Sequence, residues 1–202
     1  MQPKRWPKRL LYARESTSSE MNMDLLRSFF CTNNPEDNHK RSWVIEEKCI
    51  YPHLAIKKLQ KPHPLSFQKT KKGYVNYGVF ATRKIEPDVA LGEYIGELFL
   101  RPTDYHKVEG GGAEQALKSN YSNVVCSEYS WSVVYDHFLL TIDCHRIANE
   151  LAFINDYRGI YFKPNVRMQP IIHKGFEYYG YVTICEIQEG EEILVDYTPH
   201  RQ

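Results

Sequence analysis

Gly190-Glu191-Glu192-Ile193-Leu194-Val195-Asp196-Tyr197 joins a turn glycine and two carboxylates to a short β-type run that ends on an Asp-Tyr pair. Three other segments precede it in a fixed order: Asn76-Tyr77-Gly78-Val79-Phe80-Ala81-Thr82, Glu93-Tyr94-Ile95-Gly96-Glu97, and Phe153-Ile154-Asn155-Asp156-Tyr157 with Pro164-Asn165 after it. From residue 74 the chain is a series of short β-type runs bounded by turn residues. Strands are expected near 74–80, 89–98, 131–135, 138–143, 165–172, 178–185 and 192–196. A helical stretch around 146–152 separates two groups of strands, and 103–128, which contains Gly110-Gly111-Gly112, reads as an insertion. That glycine triplet lacks the Lys-Ser/Thr of a phosphate-binding loop. No strand-helix-strand alternation occurs, which argues against a Rossmann-type sheet. The expected fold class is therefore mostly β with short helices (α+β), built from several small sheets.

Residues 1–72 read as a basic, partly helical N-terminal extension to a domain over 73–202. Met21, Leu25, Leu26 and Phe29 have helical spacing behind the capping residues Ser18 and Ser19, and 43–51 reads as a second helix capped by Ser42. Pro62, Pro64 and the lysines through Lys72 read as a linker. Lys4-Arg5-Trp6-Pro7-Lys8-Arg9 fits a nuclear-localisation or nucleic-acid-contacting segment, or a solvated tail.

The overall charge of +1 conceals a polarity. Residues 1–72 hold 15 Lys/Arg against 7 Asp/Glu, or +8, and residues 73–202 hold 11 against 18, or −7. An acidic domain attracts basic substrates and a basic extension attracts polyanions such as nucleic acid. At 42% hydrophobic and 25% charged residues, the chain can build an ordinary core. It has no apolar run of membrane-spanning length and no secretory h-region, so an intracellular place, nucleus or cytoplasm, is expected. Five scattered cysteines without a CxxC pair point to reduced thiols rather than a disulfide framework. Cys31, His39, Cys49 and His53 form the one loose set with zinc-ligand chemistry, although isolated Cys and His are far more often packing residues. No metal is assigned. Adjacent Cys144 and His145 would point in opposite directions on a strand, which disfavours a thiol-protease pair.

Taken together, the four segments resemble the SET-domain family of S-adenosylmethionine-dependent protein lysine methyltransferases, over about residues 73–197. The resemblance implies a SET-type β-fold with a knot-like C-terminal crossing. It also implies a basic protein or peptide substrate, a histone tail or its like, laid beside a strand by β-augmentation. The cysteine-rich zinc clusters that flank many such domains have no counterpart in the sequence.

By this resemblance Asn76-Tyr77-Gly78 corresponds to a Gly-x-Gly turn that supports the methionine part of the cofactor, with asparagine standing for the first glycine. Asn155 would hydrogen-bond the amino or carboxylate end of the cofactor, and Asp156 would meet the adenine through its backbone. Family His-Ser is here Asp156-Tyr157, and the usual Arg before Phe153 is Ala152. Tyr197 maps onto the catalytic tyrosine and also borders the cofactor, while Tyr94 lines the lysine channel. An aromatic channel suits the chemistry because it strips water from the ammonium, lowers its pKa and tolerates cations against π-faces. Tyr77, Tyr129, Trp131 and Tyr157 are further aromatic candidates, with Tyr129 and Trp131 assigned to the substrate channel. Met168 and Val195 stand where some relatives carry rings that limit methylation number, which implies a roomy pocket able to reach di- or trimethylation. The alternative is a SET-like domain that has lost catalysis and serves as a binding or adaptor module on chromatin, motivated by Asn76, Ala152 and Asp156-Tyr157.

Overall fold

Short runs of β-branched, aromatic and leucine residues punctuated by Gly, Pro and Asp pair, among the described residues, into five small sheets rather than one. The computed structural model describes residues 11–12, 43–44, 51–67, 76–102, 129–135, 138–173 and 176–198. In chain order the strands are β1 (Leu11–Tyr12), β2 (Trp43–Val44), β3 (Leu54–Lys58), β4 (Tyr77–Ala81), β5 (Ala90–Glu93), β6 (Glu97–Pro102), β7 (Ser130–Tyr135), β8 (Phe138–Asp143), β9 (Ile147–Ala148), β10 (Asn155–Asp156), β11 (Val166–His173), β12 (Phe176–Thr183) and β13 (Leu194–Val195). Two 3-10 turns, Pro64–Phe67 and Glu150–Phe153, are the helical elements among the described residues. The chain is thus mostly β with short helices.

The described residues divide into two compact units, one from 43–94 and 150–198, the other from 11–12 and 95–149. The first unit contains the sheet β2-β11-β12-β5, the antiparallel pair β3-β4 and the parallel pair β10-β13. Its core is Ile56, Leu59, Val79, Ile85, Leu91, Leu151, Ile154, Val166, Ile171, Val182, Ile187 and Ile193, all buried. The second unit contains β6-β8-β7 and the parallel pair β1-β9, with Ile95, Leu100, Leu139, Leu140 and Ile142 buried. In its sheet the Ser132 and Thr141 hydroxyls hydrogen-bond across β7 and β8 at 2.8 Å. The Cys144 thiol is buried and donates to the Ile95 carbonyl at 3.1 Å, a packing role.

Several sequence expectations need correction. The expected single strand 89–98 is two, β5 and β6, because β5 pairs with β12 and β6 with β8. At the break, a Cβ on Gly96 would lie 2.7 Å from the Asp143 carbonyl oxygen, so only glycine fits. The helix expected over 43–51 begins instead as β2, whose Trp43 and Val44 pair in parallel with Ile171 and Ile172. Both residue types favour a pleated partner over a helix. The helix expected at 146–152 is a strand at 147–148 and a 3-10 turn from Glu150. Leu54–Lys58, placed within the extension, is a strand pairing with β4 along its full length. The helix expected over 20–30, the basic run 4–9, Cys31, His39, Cys49 and the insertion 103–128 lie outside the described residues.

Candidate active site

The last strand is held from both sides. On one, Ala81 N donates to Glu191 O (2.9 Å) and Ile193 N to Val79 O (2.7 Å), joining the segment to β4. On the other, β13 pairs with β10 in the register Asn155 with Leu194 and Asp156 with Val195. Asn165 fastens the same stretch: its Nδ2 donates to Glu192 O and its Oδ1 accepts from Leu194 N, both at 2.8 Å. Gly190 starts the segment with φ 86°, the left-handed conformation that glycine adopts without cost. Two of the four sequence motifs thereby become neighbouring strands, and a third, β4, flanks them.

At this crossing Asn155 Nδ2 donates to the Tyr77 carbonyl (3.0 Å) and to Glu192 Oε1 (2.8 Å). Both partners are acceptors, which fixes the amide orientation and leaves Oδ1 as the atom Asn155 can offer a ligand. Glu192 has a side chain only 7% exposed and receives His63 Nε2 on its second oxygen at 2.8 Å. Gly78 faces this carboxylate closely: a Cβ there would collide with Glu192 Oε1 and sit 3.1 Å from Leu59 Cδ2. The glycine is required by the approach of Glu192, not by its φ. Asn76 Nδ2 donates to the Leu65 carbonyl (2.6 Å), tying the start of β4 to the 3-10 turn at 64–67. Tyr77 meets Phe153 edge to face, with centroids 5.8 Å apart.

Tyr197 donates its hydroxyl proton to the Ile154 carbonyl at 2.6 Å, one residue before Asn155. Its backbone N–H is received by Asp156 Oδ2 at 2.8 Å. Arg158 spans this corner, giving one guanidinium nitrogen to Asp156 Oδ2 (2.7 Å) and the other to Asp196 Oδ1 (2.8 Å) and Thr198 Oγ1 (2.9 Å). For Asp196, burial pushes the carboxyl pKa up, but the Thr198 hydroxyl, Arg158 and the Thr198 backbone N–H outweigh it, and the pKa lies below the ordinary aspartate value. Arg158 is also stacked 4.7 Å over the Tyr157 ring. Where the resemblance has histidine, Asp156 thus ties the Asp196-Tyr197 corner to β10.

The sheet β2-β11-β12-β5 carries a second cluster. Tyr94, 6% exposed, meets Tyr181 edge to face at 5.8 Å, and Met168 lies directly across from Tyr181 on β11. Val195 is buried beside Asp156 in the β10-β13 pair. The structure brings Asn76, Tyr77, Gly78, Asn155, Asp156, Val195 and Tyr197 into one hydrogen-bonded region, and Tyr94 and Met168 into the tyrosine cluster. Tyr129 and Trp131 belong to the second unit. There Tyr129 stacks on His145 with centroids 6.3 Å apart, and Trp131 sits opposite Ile142 on β8. Tyr181, His63, Glu192 and Arg158 are not among the site residues expected from the sequence. For Tyr181 the Tyr178-Tyr179-Gly180-Tyr181 run is a usable signal; for the rest the signal lies only in long-range contact.

This arrangement of small sheets crossing at an Asn strand and an Asp-Tyr strand defines a class of fold. The sequence pattern of the SET domain matches residues 76–198, and the chain belongs to the SET-domain family. A variant-silencing SET domain-containing protein of Plasmodium falciparum is 28% identical over 134 residues, which is 66% of this chain and 5% of that protein. The histone-lysine N-methyltransferase MEDEA of Arabidopsis thaliana is 29% identical over 121 residues, 60% of this chain and 15% of that enzyme. The chain therefore spans a small part of the relatives it matches. Among solved structures, Polycomb Repressive Complex 2 of Chaetomium thermophilum aligns at 19% identity and TM-score 0.45, covering 73% of this chain and 15% of that one.

Proposed function

We propose that the chain is an S-adenosylmethionine-dependent protein lysine N-methyltransferase, with a SET domain over 73–202 that β3 and the His63 turn of the 1–72 extension complete. The observation that carries this reading is the paired orientation of Asn155 and Tyr197 at the β10-β13 crossing. The amino-acid end of the cofactor carries an ammonium that needs acceptors. Asn155 supplies Oδ1 because both its N–H groups are held elsewhere, and the Glu192 carboxylate behind it adds negative charge. The residues present thus fit the group. When bound, S-adenosylmethionine supplies an electrophilic methyl on a sulfonium sulfur.

The chain's own residues supply position and environment. Tyr197 gives its proton to Ile154 O, so its oxygen lone pairs act as acceptors that orient a substrate amine. With a reference pKa near 10 it is a positioning group rather than a base. Tyr94 and Tyr181 form apolar, π-rich walls that desolvate a lysine side chain and lower its pKa. Met168 and Val195, neither of them aromatic, favour a pocket wide enough for di- or trimethylation.

The acidic balance of 73–202 favours a basic peptide such as a histone tail, and the Arabidopsis relative is named for methylation of histone lysine. The basic extension suits nucleic-acid contact, and together they favour a nuclear, chromatin-bound role. No helix among the described residues is long and apolar enough to cross a membrane.

Isothermal titration with S-adenosylmethionine, followed by methyl-transfer assays on histones and basic peptides, tests the reading. Saturable binding is expected, with Tyr197→Phe lowering kcat by about a hundredfold, the scale for losing one oriented polar group at a reacting centre. Absence of binding at millimolar cofactor would leave the adaptor-module alternative.

A further inference from the structure

His63 lies outside the 76–198 segment that the family pattern covers, yet its ring is built into the candidate site. Its Nδ1 accepts the Leu65 backbone N–H at 3.2 Å, and its Nε2 lies 2.8 Å from Glu192 Oε2. A nitrogen that accepts an N–H carries no proton, so the ring is the neutral tautomer with hydrogen on Nε2, and that hydrogen is donated to Glu192. The turn around it is tightly held. His63 N donates to Gln60 O (2.9 Å), Ser66 Oγ to His63 O (2.6 Å), and Asn76 Nδ2 to Leu65 O (2.6 Å).

We propose that His63 is a positioning residue for cofactor binding, acting through Glu192 on Asn155; this rests on the assignment of S-adenosylmethionine above. The carboxylate bridges two donors, one per oxygen: His63 Nε2–H on Oε2 and Asn155 Nδ2–H on Oε1. A Glu side chain has three torsions, and one donor alone would leave the carboxylate free to rotate. The second donor locks it, and the locked carboxylate, together with Tyr77 O, holds the Asn155 amide with Oδ1 left for the cofactor. The relay places an aromatic base from the N-terminal extension behind the cofactor asparagine, as outer partners orient the inner ligands of metal sites. It gives residues preceding the family segment a part in the site.

The test is titration of the full chain and its His63→Ala and His63→Gln variants with S-adenosylmethionine, together with steady-state kinetics and melts of the ligand-free proteins. A hydrogen bond to a charged acceptor is at stake, so His63→Ala is expected to raise the cofactor Kd and KM by about tenfold. It should change kcat at saturating cofactor by less than about twofold. Glutamine restores an N–H donor toward Glu192 and should recover most of the affinity. His63→Ala binding as tightly as the parent overturns the relay, and so does His63→Gln binding as weakly as His63→Ala. A melt that collapses equally in both variants overturns a positioning role in favour of a packing one. A parent chain that fails to bind at millimolar cofactor overturns the cofactor assignment itself, and the relay with it.

Discussion

At the scale of single residues, the site depends on two amides and one carboxylate whose orientations are chemically determined. Asn155 must keep its oxygen as the atom left for a ligand because Tyr77 O and Glu192 Oε1 accept both its protons, and Asn165 must clasp Glu192 O and Leu194 N in one sense only. Gly78 is the steric counterpart, since its missing side chain is the space Glu192 occupies. Gly78→Ala is therefore expected to destabilise the chain by about 1–3 kcal/mol, the usual scale of an overpacked core position. In a Glu192→Ala background the same substitution should cost less, because the colliding oxygen is gone. A double-mutant cycle in urea separates the two cases, and equal costs in both backgrounds would show that the carboxylate is not what the methyl meets.

At the scale of elements, alternation and turn residues make most strands readable, and β8 has the bounds that its sequence implies. The errors fall where partner choice decides. Nothing local distinguishes Ala90–Glu93 from Glu97–Pro102; that they pair with different strands is a fact about β12 and β8. β2 is equally opaque in the sequence because two residues gain strand form only against Ile171 and Ile172. In the site, the Asn and Asp-Tyr motifs are legible, whereas the replacement of histidine by Asp156 looks like a defect. Its meaning depends on Arg158 and Asp196, which meet it only after folding.

That corner also has a pH signature. The pKa of Asp196 lies below its ordinary value in the folded chain, so its contribution is fully present above the unfolded aspartate pKa, near 4, and is lost as pH falls through the lower, folded value. Urea melts between about pH 5 and 3 should thus show a decline that Asp196→Asn makes shallower. An unchanged slope in that variant would mean that other carboxylates carry the acid response.

At the scale of the whole molecule, the family segment and the folded unit do not coincide in sequence. The SET pattern begins at residue 76, whereas β4, its first strand, has its antiparallel partner in Leu54–Lys58 and is tied through Asn76 to the turn at 64–67. Ile56 and Leu59, both buried, lie in that earlier stretch. Burying each contributes about 1.5–3 kcal/mol, so losing both removes a sizeable share of the roughly 5–15 kcal/mol that typically holds a domain together. β1 and β2, by comparison, add two paired residues each, one pair to each unit. The fragment 51–202 should therefore rank far above 73–202. Thermal melts followed by circular dichroism read the order directly. The fragment 73–202 contains all four segments on which the family resemblance rests, yet it is expected to melt without a cooperative transition because β4 and Glu192 lose the strand and the histidine that hold them. If 73–202 melted within a few degrees of 51–202, β3 and the turn bearing His63 would be an attachment to the fold rather than part of it.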